Sequence, residues 1–574
     1  MKKNVFLTML MLLLASLNAQ DKSNSIINYA PNSNFFAVKV KNAKDIKTKL
    51  ENHPLKKLIY NDKTKEIFED LINLKSHKEE EEDKEKDKEL EKLEDLSLEK
   101  FMASLNGELL LTVNCENFQE IDDEKSIIFA VILQVEHDLF QEFIKLNISI
   151  EEKSEIKKSI TKNQFENIEY VTISEENDTE KQFFAESNGI AVISNNETVF
   201  KKILNSIAKK TNFENGLRSN EKIYSYFSKN QNKDFLGYCD MSQIFETLQK
   251  EEDSPTSKEV LKAMKFEKMF ELNFSFDLNE KADSIDFVLK GLDDGFMQYI
   301  TFVNNEFTPS AFVSADISGY SRIFFSVSEL KKKFIALLIK IDPNFSTNYQ
   351  MVSDMAKTNF QIDIDGFFDS IGDDLESINY LKDKSEDENF FISKLKNPSV
   401  FITNLSSMIN NPMFKQGLET SLSVTETKEV GSQFWSLAAK NTLPNQKPVS
   451  FALGNFDSYA FAASPAKMAQ KYIALTKKSA ESKLTSLASY NNARAMFPNK
   501  IALFSFSKTK DMISSIKSKI MDQKEVLKLI PNTENIIKLL EEIDPDDFKG
   551  NLSFGLWKDT NQINMSLKLI STEK

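Results

Sequence analysis

The chain has 574 residues, of which 41% are apolar and 28% are charged, and this balance excludes global disorder and fibrous structure. Its formal charge is −14, and its three arginines (Arg218, Arg322 and Arg494) are too few for the basic surface that binds nucleic acids. No nucleic-acid partner is therefore expected.

The first 19 residues have the features of a secretory signal peptide. Lys2 and Lys3 precede an apolar segment, residues 5–14, and small residues follow it up to Ala19. The apolar segment is shorter than the roughly 20 residues of a membrane-spanning helix. We therefore expect cleavage after Ala19, no transmembrane segment afterwards, and a protein that is periplasmic, peripheral to the envelope or extracellular. The alternative is an uncleaved N-terminal anchor.

A densely charged segment occupies about residues 77–95. From His77 to Glu94 nearly every residue is Glu, Lys or Asp. Mixed charges at helical spacing support a helix but bury no apolar surface. We expect either a solvated helical extension or a disordered insertion.

Cys115 and Cys239 are the only cysteines, and each lies in an apolar segment typical of a strand. Export to an oxidising compartment allows a disulfide between them. The alternative is two separate buried thiols, because a free cysteine packs well in a core. The sequence leaves both expectations open.

Short segments of the first half recur in the second half, most clearly near the end of each. Residues 273–278 (Asn-Phe-Ser-Phe-Asp-Leu) match residues 551–556 (Asn-Leu-Ser-Phe-Gly-Leu) at an offset of 278. The same offset relates residues 285–290 to residues 563–568. Both pairs alternate as antiparallel strands do, so each half is expected to end in a hairpin.

Earlier segments match at other offsets. Phe101–Leu109 resembles Phe367–Leu375 at an offset of 266, whereas Pro31–Val40 matches Pro309–Ile317 less directly at 278. The difference implies about twelve extra residues near the start of the first half, where the charged segment lies.

A strand followed by a helix also recurs in the middle of each half. Gly189–Ser194 corresponds to Ser458–Ser464, and 23 residues separate each final serine from a leucine, Leu217 or Leu487. This equal spacing supports the repeat.

These patterns predict an α+β fold made of two tandem, internally duplicated domains with largely antiparallel sheets packed by helices. The first repeat is expected over residues 20–295 and the second over residues 296–574. The clearest helical periods cover residues 55–69, 198–209, 328–341, 465–477 and 533–542.

Motifs of common enzymes are missing from the sequence. It has no Gly-x-Ser-x-Gly elbow, no His-Glu-x-x-His and no glycine loop for phosphates or dinucleotides. His53, His77 and His137 are too widely spaced for a zinc site, and His137 with Cys115 is the conceivable nucleophilic pair. We therefore assign no catalytic, cofactor-binding or metal-binding residue.

Two acidic segments, Asp363–Phe368 and Asp544–Phe548, do not fit a calcium-binding loop because phenylalanine replaces the oxygen ligand at the fifth position. Asp363 is instead expected to cap a short helix. Phenylalanine pairs such as Phe367–Phe368 suit either an ordinary core or a cavity for an apolar ligand.

The chain resembles a group of exported bacterial proteins classed as a domain of unknown function. The resemblance is carried by an opening Phe-Ala-Val strand, by Ser370–Leu375 (Ser-Ile-Gly-Asp-Asp-Leu) and by Tyr459–Ser464, a strand that leads into a helix. It implies an α+β envelope protein without an established activity, and it carries over no functional residue.

The sequence therefore favours an exported, non-catalytic binding or scaffold protein of the bacterial cell envelope. Its partner would be a protein, a glycan or an apolar ligand held in the groove between two related domains. The alternatives are an exported hydrolase that uses a pair of carboxylates and a carrier of apolar ligands.

Overall fold

The computed structural model describes residues 25–33, 35–51, 96, 100–101, 103–115, 127–153, 158–175, 181–242, 245, 254–279, 282–292, 295–382, 386–440, 449–477, 482–522, 524, 537, 540–541 and 543–570. The expected signal peptide and the charged segment at residues 77–95 lie outside the described residues. So do His53 and His77.

Ten strands form the first half of the molecule. They are β1 (Phe36–Val40), β2 (Leu105–Cys115), β3 (Ile127–Val135), β4 (Lys158–Phe165), β5 (Ile168–Glu175), β6 (Lys181–Ser187), β7 (Ile190–Ser194), β8 (Phe235–Asp240), β9 (Met269–Asp277) and β10 (Asp283–Gly291). Every neighbouring pair is antiparallel, in the order β4-β5-β6-β7-β3-β2-β1-β8-β9-β10.

Apart from a two-residue pair, Asn305–Glu306 with Lys500–Ile501, the described strands of the second half number ten and repeat this arrangement. They are β11 (Gly319–Phe324), β12 (Asp374–Lys382), β13 (Glu386–Lys394), β14 (Leu422–Glu429), β15 (Ser432–Ala439), β16 (Ser450–Phe456), β17 (Tyr459–Ser464), β18 (Leu503–Lys508), β19 (Asn551–Asp559) and β20 (Gln562–Ile570). Their order is β14-β15-β16-β17-β13-β12-β11-β18-β19-β20, again antiparallel throughout. The strand order of residues 36–291 thus recurs in residues 319–570.

Strands β10 and β20 pair with each other, and this pairing joins the halves into one twenty-stranded sheet. The predicted boundary between residues 295 and 296 falls in the segment that connects β10 to β11.

Helices cover both faces of the sheet. The α-helices are α1 (Ala43–Glu51), α2 (His137–Lys153), α3 (Glu197–Lys209), α4 (Glu221–Lys229), α5 (Pro255–Met264), α6 (Val327–Ile341), α7 (Phe345–Phe360), α8 (Ile364–Ser370), α9 (Pro398–Asn410), α10 (Pro412–Ser421), α11 (Ala469–Thr476), α12 (Ala488–Ala495) and α13 (Thr509–Asp522). The α+β fold class is therefore confirmed.

Apolar side chains decide which face each helix covers. In the first half, α3 and α4 pack on one face through residues such as Phe200 and Phe227, while α1 and α2 pack on the other through Ile46 and Phe140. In the second half, α11 and α12 cover the first of these faces and α9 covers the opposite one. The α3/α4/α11/α12 face is called face A below.

The register of hydrogen bonds relates the two halves residue by residue. Pro31 bridges Gly216 and Ser314 bridges Lys483, each time just before a single helical turn, which sets an offset of 283 at the start of each half. The offset of 278 predicted from Pro31 and Pro309 is therefore wrong.

At the offset of 283, Val38 of β1 corresponds to Ser321 of β11. The residues that pair in register with each of these across the neighbouring strands form two equivalent rows. One row contains Leu111, Val38, Gly237, Phe274 and Phe287, and the other contains Ser377, Ser321, Ser505, Phe554 and Leu567. The offset of 266 at β2 and β12 agrees with the sequence prediction. At the terminal hairpins the offset is 280, two residues more than predicted.

The predicted correspondence between Leu217 and Leu487 is also wrong. Leu217 N donates to Ala30 O at 3.0 Å, and the residue that makes the corresponding bond, to Val313 O at 2.9 Å, is Leu484 rather than Leu487. The equal spacing of 23 residues therefore does not reflect equivalent positions.

An approximate twofold axis passes through the β10–β20 pair, perpendicular to the sheet. Asp286 faces Ser566, and these two residues are equivalent at the offset of 280. Because the axis maps face A onto itself, helices α4 and α12 flank the same central region from opposite sides.

The register argues against the Cys115–Cys239 disulfide. Strand β1 lies between the two strands concerned, since Phe36 faces Val113 on one side and Cys239 on the other. Two strand spacings separate the Cα atoms by about 10 Å or more, beyond disulfide reach. Cys239 is a free, buried thiol.

Among the described helices, none combines the length and apolar character that a membrane crossing requires.

Candidate functional site

The centre of face A is polar, in contrast to the apolar cores on either side. From Phe270 onwards, strand β9 alternates apolar residues on the opposite face with polar residues on face A, and β10, β20 and β19 continue this polar floor. We call it the junction surface, and it consists of Glu271, Asn273, Ser275, Asp277, Ser284, Asp286, Lys290, Trp557, Asp559, Gln562, Asn564, Ser566 and Lys568.

A network of hydrogen bonds around Asp286 lies on the twofold axis. One carboxylate oxygen accepts from Ser566 Oγ at 2.5 Å, and the other accepts from Ser275 Oγ at 3.4 Å and from Ser284 Oγ at 3.5 Å. Lys233, from the loop after α4, donates to the second oxygen at 3.1 Å. Asp286 thus connects both halves and the helical layer.

The two central carboxylates have opposite pKa shifts. Burial acts to raise the pKa of Asp286, but the Ser566 hydroxyl and the Lys233 ammonium outweigh it and hold the pKa below its ordinary value. Burial raises the pKa of Asp277, whose carboxylate lies 3.7 Å from Lys233 Nζ. Lys233 therefore lies between two carboxylates in different environments.

The β19–β20 hairpin forms one end of the junction surface. Asp559 Oδ2 accepts from Asn564 Nδ2 at 2.9 Å and from Gln562 Nε2 at 3.2 Å, and Gln562 Nε2 also donates to Asn564 Oδ1 at 3.0 Å. Trp557 is directly opposite Asn564 in the sheet, so its side chain lies on face A with those of Asp559, Gln562 and Asn564. The result is a group of one indole, two amides and one carboxylate, in which Asp559 is exposed, Trp557 and Gln562 are partly exposed and Asn564 is buried.

Glu271, Asn273 and Lys290 extend this end across the junction. Lys290 Nζ and Asn273 Nδ2 both donate to Glu271 Oε1. Asn273 is 1% exposed, and its Oδ1 has no hydrogen-bond partner. A buried acceptor without a partner is costly, so this amide requires an explanation.

Side chains from the helical layers border the surface on both sides. Tyr226 of α4 donates its hydroxyl to Phe274 O at 2.9 Å. On the other side, the ring of Phe497 lies against Gly555, and Lys568 Nζ lies 5.6 Å from the centre of that ring. The junction surface is therefore a polar strip between two helical layers, called the trough below. Asp559 is exposed and Lys290, Trp557 and Gln562 are partly exposed, whereas the strip is buried at Glu271, Asn273, Ser275, Ser284, Asn564 and Ser566.

This arrangement suits hydrogen bonding better than catalysis. The Lys233 ammonium occupies the space between Asp277 and Asp286 where a glycosidase needs room for water or a sugar. Ser566 donates to Asp286, but the lowered pKa of Asp286 makes it a weak base, and Ser566 is 1% exposed and so out of reach of a substrate. The described residues contain no group of three or more side chains suited to a metal ion.

The structure separates Cys115 from His137. The β2–β3 pairing sets Cys115 opposite Ile127 and Leu105 opposite Val135, so the length of β3, about 27 Å, lies between Cys115 and the start of α2. The His137 ring instead contacts the carboxylate of Glu186. Burial raises the pKa of Cys239 to about 11, which makes it a poor nucleophile.

The acidic segments act as helix caps. Asp363 Oδ1 accepts from Gly366 N at 2.9 Å at the start of α8, which confirms the predicted cap. Asp544 Oδ1 accepts in the same way from Asp546 N at 3.0 Å.

Two pockets among the described residues can be compared with the size of an apolar ligand. A pocket between α2 and strands β5 and β6, lined by residues such as Phe143 and Phe184, has a volume of only about 10 Å³. A groove of about 650 Å³ along α7 is open to solvent. Neither is a closed chamber of the size that apolar ligands occupy.

Comparisons with known proteins add little. No family model matches the chain, and no curated protein matches it. Two crystal forms of TP0453, forms III and I, are 8% and 7% identical to it, with a TM-score of 0.24 in both cases. The alignments cover 47% of this chain and 80% and 79% of TP0453. At that TM-score the likeness carries no argument about fold or function.

Proposed function

We propose that this protein is an exported, non-catalytic binding protein of the bacterial cell envelope and that the junction surface is its ligand site. The proposal rests on one observation, the polar trough at the twofold axis, where most alternate positions of four central strands carry hydrogen-bonding groups. Sheet faces beneath helices are normally apolar, as they are on both sides of this trough. Polar groups in such a place support recognition of a ligand.

The location of the trough supports the proposal as well. It lies between the two halves, and each half contributes two strands to the floor and one aromatic side chain to a wall, Tyr226 from α4 and Phe497 from the segment after α12. Grooves between structural units are frequent binding sites because two independent surfaces converge on the ligand.

Photo-crosslinking in intact cells tests the proposal. Benzoylphenylalanine at position 562 would present a reactive group at the rim of the trough, and Val430 is a suitable control position. Val430 is 98% exposed, but it lies in the turn after β14, the outermost strand of the sheet. We expect a specific adduct from position 562 and none from position 430.

Two results would contradict the proposal. One is the same set of adducts from both positions, and the other is no adduct from either position 562 or position 290. Turnover of esters, peptides or glycans by the purified protein that is lost on Asp277→Asn or Asp286→Asn would favour the hydrolase instead.

A further inference from the structure

We propose that the junction surface binds a neutral oligosaccharide at the end formed by Trp557, Asp559, Gln562 and Asn564. This inference rests on the proposed function, and it specifies the chemical class of the ligand.

Trp557 supplies the flat apolar surface that a sugar ring requires. The protein has only two tryptophans, and Trp435 is 1% exposed in a core on the opposite face. Trp557 packs in part against the core of the second half, but it is partly exposed and lies beside amide and carboxylate groups. An indole combines a large apolar face with a polar edge, so it can stack on the C–H face of a pyranose while neighbouring groups bind the hydroxyls.

The polar groups around Trp557 are held in fixed positions. Asp559 accepts from both Gln562 and Asn564, and these two side chains are also bonded to each other. Amides and carboxylates together offer donors and acceptors, and a sugar hydroxyl acts as both. Fixing these groups before binding lowers the entropy cost of holding a weakly bound ligand.

The charges at this end favour a neutral ligand. Lys290 is paired with Glu271, and Lys233 is paired with Asp277 and Asp286. Lys568 contacts the ring of Phe497 and lies four residues along β20 from Asn564, away from this end. Anionic ligands are usually held by arginines or by cations without such partners, and the three arginines of the chain all lie outside the junction surface. The exposed carboxylate of Asp559 would also repel an anion.

The unpartnered oxygen of Asn273 extends the site to more than one sugar. In the row Asn273, Val288, Asn564, two strand spacings of about 5 Å each separate the asparagines. A ligand that reaches both is about two sugar rings long, and because the asparagines are 1% and 6% exposed it must displace the groups that cover them. Binding of a hydroxyl there would satisfy the buried acceptor.

Titration of the purified, full-length mature protein tests the inference. The probes are tetrasaccharides of β-1,4-linked N-acetylglucosamine, β-1,4-linked glucose and α-1,4-linked glucose, with tetra-alanine as the peptide comparison. Tryptophan fluorescence reports contact with Trp557, and calorimetry on the same samples detects binding that leaves the emission unchanged. We expect saturable binding of at least one tetrasaccharide and none of the peptide.

Variants locate the site. We expect Asn564→Ala and Gln562→Ala to raise the Kd at least tenfold, while Gln416→Ala, which changes an exposed glutamine on α10, leaves it unchanged. Circular dichroism of each variant checks that the fold is retained.

The outcomes separate this inference from the proposed function. No binding of any tetrasaccharide, or binding of tetra-alanine instead, would overturn the sugar assignment, whereas the site itself would stand if position 562 still forms a specific adduct in cells. Sugar binding that Asn564→Ala and Gln562→Ala leave intact would overturn the location. Absence of both sugar binding and the adduct would overturn both proposals.

Discussion

Asp286 is the residue at which the two halves and the helical layer meet. Its carboxylate accepts from Ser566 in the second half and from Lys233 in the loop after α4. Because these bonds favour the ionised form, the lowered pKa contributes stability above the ordinary pKa of an aspartate. That contribution is lost as the pH falls through the lowered value.

We therefore predict that Asp286→Asn destabilises the protein by about 1–2 kcal/mol at pH 7 and by much less at pH 3. Urea unfolding at the two pH values measures the difference. Asp277 acts in the opposite direction, because its raised pKa means that its own ionisation disfavours the fold. Equal destabilisation by Asp286→Asn at both pH values would show that the charge is not responsible.

Contacts between residues that are close in the chain can be predicted from the sequence. The cap at Asp363 is correctly predicted because an aspartate three residues before an available amide is a short-range relationship. The approach of Asn273 to Trp557 and Asn564 is not predicted, because it depends on the pairing of β10 with β20, which are distant in the chain. The alternating polar residues of β9 are the one signal that points towards it.

Gly555 shows how the elements of the second half are fitted together. It lies in β19 beneath Phe497, and a Cβ atom at this position would be 2.4 Å from a ring carbon of Phe497. We predict that Gly555→Ala destabilises the protein by about 1–3 kcal/mol, since the ring must move out of a packed layer.

Gly417→Ala is the matched control for that measurement. Gly417 lies inside α10 with no atom near the position of a Cβ, so alanine there should stabilise the helix by about 0.5–1 kcal/mol. Thermal unfolding of both variants gives the comparison. A neutral or stabilising Gly555→Ala would show that the Phe497 ring is not closely packed on β19.

The sequence predicts the positions of helices and hairpins better than the register in which strands correspond between the two halves. Helices expected over residues 198–209 and 328–341 are α3 and α6, each beginning one residue earlier, and both expected terminal hairpins are present. The terminal offset differs by two residues because a shift of two keeps every side chain of a strand on the same face. Alternation alone therefore does not distinguish 278 from 280, whereas the hydrogen-bonded rows do.

In the described part of the chain, one open sheet contains a ten-strand order twice, and a separate two-stranded sheet pairs residues 305–306 with residues 500–501. The predicted duplication offers a simple origin for this repetition and stays a prediction. The offsets of 283 at β1 and 266 at β2 imply 17 extra residues early in the first half, rather than about twelve. The connection in which they fall includes the charged segment, as the sequence indicates.

The intact mass of the exported protein tests two expectations for the complete chain. We predict a polypeptide that begins at Gln20 and has two reduced thiols, both alkylated once the protein is unfolded. The free thiol of Cys239 and the intervening strand β1 are the reasons for expecting two thiols. A mass lower by two hydrogens would restore the disulfide, and a mass that includes residues 1–19 would indicate an uncleaved anchor.

Asp286 and Ser566, which face each other on the twofold axis, form a contact that two identical subunits could not make. In a dimer of identical subunits, a residue on the axis faces its own copy, so two aspartates would meet there and repel each other. Here one position is Asp286 and its equivalent is Ser566, which donates a hydrogen bond to it. Because the two halves belong to one chain, the residue at the central position can differ between them. An attractive contact then replaces a repulsive one, and it favours pairing of β10 with β20 over pairing of either strand with its own copy in another molecule.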